Sequence, residues 1–233
     1  MDIAQRREEI LKKVVEEYIK TALPISSDFL KTEGFWDISP ATIRIDLAEL
    51  TEEGFLEKPY VSGGRIPTDK GYRFFVDQLP ADSSLQSKRF ENLLAEFDDA
   101  VRLSQEIARI LAKNSASLGL VYLKDYDLVC QEGWERLIQE PEFNDIDYTR
   151  NFIESLHELG ANLDDLPTNE SSVAQVFIGQ ECQLDKNNFS VIMGQGFFGN
   201  NQSQPVYFAV TGPKRMNFYG NIKLINDLIN AFN

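Results

Sequence analysis

Apolar residues recur near the start of the chain at helical spacing, and the clearest of these patterns begins at Ser39. Ile43, Leu47 and Leu50 fall at i, i+4 and i+7, which predicts a helix with one buried stripe. The start of this helix is well marked, because Ser39 is a favourable N-cap and Pro40 suits the first helical position. We therefore expect a short helix that begins at Pro40.

The outward face of this helix carries the first functional signal. At about 100° per residue, Ile45 points away from the buried stripe, and Thr42 and Arg44 lie on its flanks. The face is small, uncharged or basic near its start and becomes acidic toward its end. Such a face is typical of a helix that enters a DNA major groove with its N-terminal residues.

Two short strands are predicted after this helix. Residues 55–58 and 65–67 have strand character, and a Gly-Gly turn lies between them. Thr68 or Asp69 would then cap a further helix.

Two more helices are predicted upstream of residue 39. An amphipathic helix covers residues 3–21, and a short helix begins after Ser26 or Ser27. The expected shared core of the three helices comprises Ile10, Val14, Leu30, Ile43, Leu47 and Leu50. Helices and strands together predict a winged helix-turn-helix domain over residues 1–79. A small helical domain that binds no ligand is the alternative, and the two strands argue against it.

The second part of the chain has a different pattern. A polar, proline-containing stretch at residues 80–88 predicts a linker. After it, apolar residues recur at alternating steps of four and three, the heptad spacing of a coiled coil. This seam contains Phe90, Leu94, Phe97, Val101, Ala108 and Leu111. The helix either pairs with a second copy of the chain or lies on the sheet of its own domain.

Strands and helices then mix up to the C-terminus. Strands are predicted at residues 118–123, 173–178, 189–193 and 206–211, helices at 134–139, 147–159 and 219–232, and a Gly- and Asn-rich hairpin at 194–204. This order predicts an α+β domain over residues 89–233.

The charge of the chain argues against a nucleic-acid partner. The formal net charge is −14, but residues 1–80 hold 11 Lys and Arg against 15 Asp and Glu, whereas the remainder holds 12 against 22. Most of the acidity therefore lies outside the first domain. Within residues 58–73 the balance is basic, so a local basic patch is predicted; it contains Lys58, Arg65, Lys70 and Arg73 against Asp69. We expect weak binding to non-specific DNA and marked salt sensitivity.

Two segments of the first domain carry a family resemblance. ATIRIDLAELTEEGFLEKP at residues 41–59 and GRIPTDKGYRFFVD at residues 64–77 resemble the signature of the HrcA heat-inducible transcription repressors. Pieces at residues 133–143, 176–181 and 212–219 resemble the GAF-like C-terminal part of the same family. The resemblance implies a winged helix-turn-helix followed by a reduced GAF-like α+β domain for dimerisation or regulation.

The resemblance also implies a function and partners. Members of the family repress chaperone genes, bind an inverted-repeat operator as dimers and depend on the GroEL chaperonin. We therefore expect a homodimer joined at the heptad seam, because a reader of an inverted repeat needs a two-fold axis. Residues facing the major groove would be Ser39, Thr42, Arg44 and Ile45, and residues contacting phosphates would be Lys58, Arg65, Thr68, Lys70 and Arg73.

Two features depart from the family pattern. Only residues 124–132 follow the strand at 118–123 before the next helix, where the family usually carries a dimerising insertion. A trimmed sheet and an altered dimer interface are therefore expected. Ile45 stands where the family has a polar Asn, and an isoleucine can contact a thymine methyl but cannot make a bidentate hydrogen bond. The operator sequence is therefore expected to differ.

The chain shows no pattern typical of an enzyme. His157 is its single histidine, so a His-based metal site or a catalytic triad has little to build on, and no cofactor is expected. The glycine-rich residues 194–199 lie between strands, whereas a phosphate cradle requires a strand-to-helix turn. Residues 212–215 could hold an anion, or form a turn with exposed cations.

The sequence also predicts where the protein is located, and it leaves two other functions open. The N-terminus has no signal-peptide pattern and no apolar run approaches about 18 residues, so a cytoplasmic protein without membrane contact is predicted. A GAF-like sheet could hold a small molecule and make the chain a ligand-sensing regulator. The acidity and Ile45 would also fit a protein-interaction module that has lost DNA binding.

Overall fold

The computed structural model describes residues 3–35, 37–60, 63–80, 90, 99–161, 173–183, 188–198 and 204–232. The chain divides into two compact units, Met1–Pro80 and Ala81–Asn233, and the predicted α+β class is confirmed. Apart from Pro80, the predicted linker lies outside the described residues, as do Leu94 and Phe97 of the heptad seam.

The first unit contains the predicted helices and strands. They are α1 (Ile3–Thr21), α2 (Ser27–Thr32), α3 (Pro40–Glu52), β1 (Leu56–Glu57), β2 (Ile66–Pro67) and α4 (Asp69–Asp77), with β1 and β2 antiparallel. The side chains of Ser26, Ser39 and Thr68 accept hydrogen bonds from the first turns of α2, α3 and α4, so each helix begins at a side-chain cap. All six residues of the predicted shared core are buried.

The β1–β2 hairpin is joined to the loop between α1 and α2. The backbone N–H of Ile25 donates to the carbonyl oxygen of Arg65 at 2.9 Å, and the N–H of Arg65 donates to the carbonyl of Ile25 at 2.8 Å. A Cβ atom on Gly64 would lie 2.5 Å from the carbonyl carbon and oxygen of Ile25, so only glycine allows this approach. The hairpin is therefore held against the helices, a contact that the sequence did not predict.

The second unit is built on a five-stranded sheet. Its elements are α5 (Ala100–Ser115), β3 (Leu118–Leu123), β4 (Leu128–Glu132), α6 (Trp134–Leu137), α7 (Ile146–Ala161), β5 (Gln175–Ile178), β6 (Phe189–Phe198), β7 (Gln204–Pro213) and α8 (Phe218–Phe232). The strand order is β4-β3-β7-β6-β5, and every neighbouring pair is antiparallel.

Glycines set the distance between one face of this sheet and its helices. A Cβ on Gly119 would lie 2.3 Å from the carbonyl oxygen of Ala108 in α5. On β6, a Cβ on Gly194 would meet the side chain of Ile229, and one on Gly196 would lie 2.5 Å from the Cβ of Phe232, both in α8. The strand register puts these glycines on one face, so α5 and α8 cover that face together.

The opposite face of the sheet packs against α7 and α6. One buried cluster combines alternate residues of four strands with the apolar side of α7; it includes Leu118, Leu120, Val191, Met193, Ala209, Phe152 and Leu156. Phe152 meets Phe189 edge to face, with ring centroids 5.8 Å apart. The second unit is thus a helix–sheet–helix sandwich.

Arg215 ties the turn after β7 to the segment before α7. Its Nε donates to Oε1 of Glu142 at 2.6 Å, and its Nη2 donates to Oε2 of Glu142 at 2.9 Å and to Oε2 of Glu140 at 2.5 Å. Burial alone would lower the pKa of Arg215, but the hydrogen bonds and charges of these two carboxylates raise it above its ordinary value. The expectation of an exposed cation in this turn is wrong for Arg215.

Two predictions about strands are corrected. The strand expected at 189–193 continues to Phe198, so residues 194–198 of the expected hairpin are strand; their glycines serve packing against α8 rather than turning. Residues 124–132 were expected only to connect the strand at 118–123 to the next helix. Within them, Leu128–Glu132 forms the edge strand β4.

The heptad seam has a different environment from the one we expected. Ala108 and Leu111 are fully buried in α5, which packs on β3 and β4 of its own sheet, while Val101 is half-buried and Phe90 is buried. Ala108 and Leu111 are therefore covered within one chain and cannot form a seam with a partner. The alternative interpretation, a helix lying on its own sheet, describes this part of the seam.

We expect Gly119→Ala to destabilise the second unit by about 1–3 kcal/mol, because the new methyl group would force α5 away from β3. Urea unfolding of the whole chain measures this loss. The matched control is Gly212→Ala in the same sheet, whose Cβ would come no closer than 3.3 Å to any atom, the hydroxyl oxygen of Ser117. Equal losses from both variants would contradict the close approach of α5.

Candidate nucleic-acid interface

The outward face of α3 is open to solvent. Ile45 is 59% exposed, and Arg44, Ala41 and Ala48 are also exposed. At the start of the helix, the hydroxyl oxygen of Ser39 accepts the backbone N–H of Thr42 at 3.1 Å and shares a hydrogen bond of 2.9 Å with its hydroxyl. The N-terminal half of α3 thus presents two hydroxyls, one isoleucine and one arginine.

The guanidinium of Arg44 is directed towards α2. Its Nε donates to the Oγ of Ser27 at 3.2 Å, and its Nη2 donates to Oδ1 of Asp28 at 3.4 Å. Both side chains of this ion pair are largely exposed, Arg44 at 63% and Asp28 at 74%. The pair is therefore held weakly and is open to exchange with another anion.

A cleft of about 360 Å³ lies between α2, α3 and the hairpin. It is lined by Ile25, Ser26, Ser27, Asp28, Arg44, Leu47, Lys58, Gly63, Gly64 and Arg65. Three of these residues are cationic and one is acidic. The cleft therefore combines positive charge with hydroxyl groups, a set of donors that suits the oxygens of a phosphate backbone.

Lys58 and Arg65 occupy different positions in this cleft. Lys58 is exposed just after β1. Arg65 is half-buried, and its Nε donates to the Oγ1 of Thr51 on α3 at 2.9 Å. Because its backbone also pairs with Ile25, Arg65 holds the hairpin to the helices and offers only part of its guanidinium to a ligand.

The lining of this cleft does not include Thr68, Lys70 or Arg73. The Thr68 hydroxyl donates to the carbonyl of Gly54 at 2.7 Å. Lys70 donates to the carbonyl of Glu53 at 2.8 Å, with its Nζ 4.0 Å from the centre of the Phe55 ring.

These contacts close the C-terminal end of α3, about 20 Å along the helix from Ser39. Arg73 pairs with Asp77 one turn along α4 at 3.4 Å. The structure thus does not bring these three residues together with the N-terminal half of α3, and it gives Thr68 and Lys70 a role in the fold.

Two arginines of α1 compensate the acids of α3. Arg6 donates to Asp46 through Nε at 2.7 Å and through Nη2 at 2.9 Å, and Asp46 is 1% exposed. The hydrogen bond to Asp46 raises the pKa of Arg6, against a smaller opposing effect of burial. Arg7 pairs with Glu49 and, at 3.5 Å, with Glu53. Three of the four acids at residues 46–53 are therefore paired with arginines of α1, whereas Glu52 is exposed.

Two exposed residues beside this surface were missed. Tyr60 is 69% exposed in the turn between β1 and β2, where its carbonyl accepts the N–H of Gly63 at 3.1 Å. Its position shortly before the Gly63-Gly64 turn could have indicated that Tyr60 is exposed at the tip of the hairpin. Asp28 was missed because its contact with Arg44 joins residues 16 apart, and helical spacing gives no information on such a pair.

Among the described residues, no cluster of three or more His, Cys, Asp or Glu side chains could hold a metal ion. Cys130 and Cys182 are buried and not bonded to each other. Burial, together with the charge of Glu132, raises the pKa of the Cys130 thiol. Within the same described ranges, no helix is long and apolar enough to cross a membrane.

The comparison with protein families identifies the chain. A model of the HrcA protein C-terminal domain matches residues 81–222, which is more than half of the sequence. The chain therefore belongs to the HrcA family. The match also covers residues 81–132, where the sequence offered no matching piece.

Curated relatives agree with this assignment. Proteins named heat-inducible transcription repressor HrcA from Chloroflexus aggregans and Natranaerobius thermophilus are both 40% identical to it, over 121 and 128 residues. These alignments cover 49% and 52% of this chain but only 32% and 36% of the relatives, so the matched part spans about a third of their length.

A solved structure supports the fold. The crystal structure of a hypothetical protein matches with a TM-score of 0.75 at 19% identity, over 100% of this chain and 96% of that chain. At this identity the likeness concerns the fold alone.

We expect Asp46→Asn to lower the melting temperature of the chain by several degrees, because Arg6 would lose half of a charged, bidentate hydrogen bond at a buried position. Thermal unfolding followed by circular dichroism measures the change. Glu52→Gln is the matched control, since it removes the same charge from an exposed position of the same helix. Similar melting temperatures for the two variants would show that the buried pair does not hold α3.

Proposed function

We propose that this chain is a transcriptional repressor of heat-shock genes that binds DNA through residues 1–79 as a winged helix-turn-helix. The observation that carries the proposal is the exposed N-terminal half of α3 beside a cationic cleft bounded by a two-stranded hairpin. The name of the curated relatives, heat-inducible transcription repressor, supports the same function.

In this proposal α3 enters the major groove and the hairpin acts as the wing. Ser39, Thr42, Arg44 and Ile45 face the bases, because they occupy the open, uncharged or basic half of the helix. Lys58 and the free part of Arg65 meet phosphates from the cleft. Thr68 and Lys70, which we first expected at phosphates, instead hold the far end of α3.

Ile45 gives the proposed interface an apolar centre. At 59% exposure its side chain is available to pack against the methyl group of a thymine. Such a contact favours A·T pairs by shape and does not identify a base by hydrogen bonding. The operator of this chain should therefore contain a thymine at the position opposite Ile45.

The net charge of −14 need not prevent binding. Asp46 and Glu49 of α3 and its C-cap Glu53 are paired with Arg6 or Arg7, so these acids do not form an unpaired negative cluster beside the proposed interface. The remaining negative charge weakens non-specific binding, which makes the base contacts a larger share of the total affinity.

We propose that the second unit is a GAF-like domain that joins two copies of the chain. The five-stranded antiparallel sheet between helices is compatible with this class. A homodimer would present two copies of α3 to an inverted repeat. Because Ala108 and Leu111 are buried within one chain, the interface must use other residues than these two. The GroEL chaperonin is the further partner that we propose from the family.

The test is a selection of duplexes from random sequence with the purified chain, followed by binding measurements at two salt concentrations. We expect an inverted repeat that binds more tightly than scrambled DNA of the same composition, with one dimer per repeat. The lack of binding to any duplex at low salt would overturn the proposal and favour a protein-interaction module.

Three variants, Arg44→Ala, Lys58→Ala and Lys70→Ala, test which residues of the proposed interface contact bases and which contact phosphates. Arg44→Ala should cost about 1–3 kcal/mol on the selected duplex and relax specificity at one position, because a base contact is lost. Lys58→Ala should weaken selected and scrambled duplexes alike and reduce the salt slope by about 0.9. Fluorescence anisotropy measures both effects.

Lys70→Ala is the matched control for Lys58→Ala, since both remove an exposed lysine from the same unit. It should leave the salt slope unchanged and lower the melting temperature, because Lys70 holds the carbonyl of Glu53. A loss of salt slope from Lys70→Ala equal to that from Lys58→Ala would contradict the proposed interface.

A further inference from the structure

Arg44 is the one basic residue of α3, and in the free chain it is already engaged by an anion. Asp28 accepts its Nη2 at 3.4 Å while the Oγ of Ser27 accepts its Nε at 3.2 Å. Asp28 is also the one carboxylate among the residues that line the cationic cleft. Its charge therefore lies where a DNA phosphate would have to approach.

We infer that Asp28 competes with DNA phosphates for Arg44 and thereby suppresses binding to non-operator DNA. This inference rests on the proposed function and adds a specificity-determining residue to it. A carboxylate and a phosphate offer a guanidinium the same kind of paired oxygen acceptors, so one can replace the other.

The two kinds of DNA differ in what Arg44 gains when it leaves Asp28. On either DNA, Arg44 gives up its contact with Asp28 at the same cost. On non-operator DNA the phosphate that Arg44 then binds lies beside Asp28, whose negative charge repels it. On the operator Arg44 instead gains hydrogen bonds to an uncharged base edge, which Asp28 does not repel. The acidic residue thus penalises the wrong DNA more than the right one, which is how specificity is raised by a repulsive element.

The position of Asp28 allows a clean substitution. It lies in the first turn of α2, where the N-cap is Ser26, so the cap itself is untouched by a change at residue 28. Asp28→Asn keeps the shape and removes the charge. Asp37→Asn is the matched control, because Asp37 is an exposed acid shortly before α3.

The experiment measures anisotropy of the full chain with two probes, the duplex recovered by selection and a scrambled duplex of equal composition. Asp28→Asn should tighten binding to the scrambled duplex roughly two- to fivefold, as expected for one exposed ion pair, and should change the selected duplex less. The salt slope on the scrambled duplex should steepen by about 0.9, since one more phosphate is contacted. In an Arg44→Ala background, Asp28→Asn should have no such effect.

Other outcomes overturn the inference. If Asp28→Asn acts equally on both duplexes and matches Asp37→Asn, or if its effect persists in Arg44→Ala, Asp28 contributes only general charge. If binding to the scrambled duplex is unchanged by Asp28→Asn, the ion pair does not compete with phosphate. If the unmodified chain and all variants bind neither duplex at low salt, the proposed function itself fails, which distinguishes that result from the others.

Discussion

The first unit depends on one buried carboxylate. Asp46 lies on α3, is 1% exposed, and accepts both hydrogen bonds of the Arg6 guanidinium from α1. A buried charge is tolerated only when it is paired and hydrogen-bonded, so α1 and α3 must keep this geometry as long as the unit is folded. The orientation of the outward face of α3, and with it the proposed interface, is fixed by that pair together with the buried side chains of Ile43, Leu47 and Leu50.

A second constraint is the close approach of backbones, and it limits what sequence patterns can predict. Helix boundaries in the first unit followed from caps and spacing at Ser39 and Thr68, which are local signals. The turn predicted at Gly194 and Gly196 is wrong because glycine marks turns and also marks close packing against a neighbouring helix. Only the position of α8 decides between the two meanings, and that position is a tertiary property.

The candidate site was predictable to a similar extent. Spacing along one helix was sufficient to identify Thr42, Arg44 and Ile45 as outward residues, since all three lie on the same element. The pattern could not separate Lys58 from Lys70, because both are basic residues near a hairpin. Their difference is that the Lys70 Nζ reaches a helix-end carbonyl and a phenyl ring, contacts that join residues 17 and 15 positions apart.

The effect of charge on the candidate site likewise could not be predicted from the sequence alone. The composition counts Asp28, Asp46 and Glu49 alike, yet Asp46 and Glu49 face arginines of α1, whereas Asp28 faces Arg44 on the open surface. Asp46 and Glu49 therefore join α3 to α1, whereas Asp28 lies where DNA bound to α3 would approach. For a chain with a net charge of −14, the partner of each carboxylate thus says more about DNA binding than the total does.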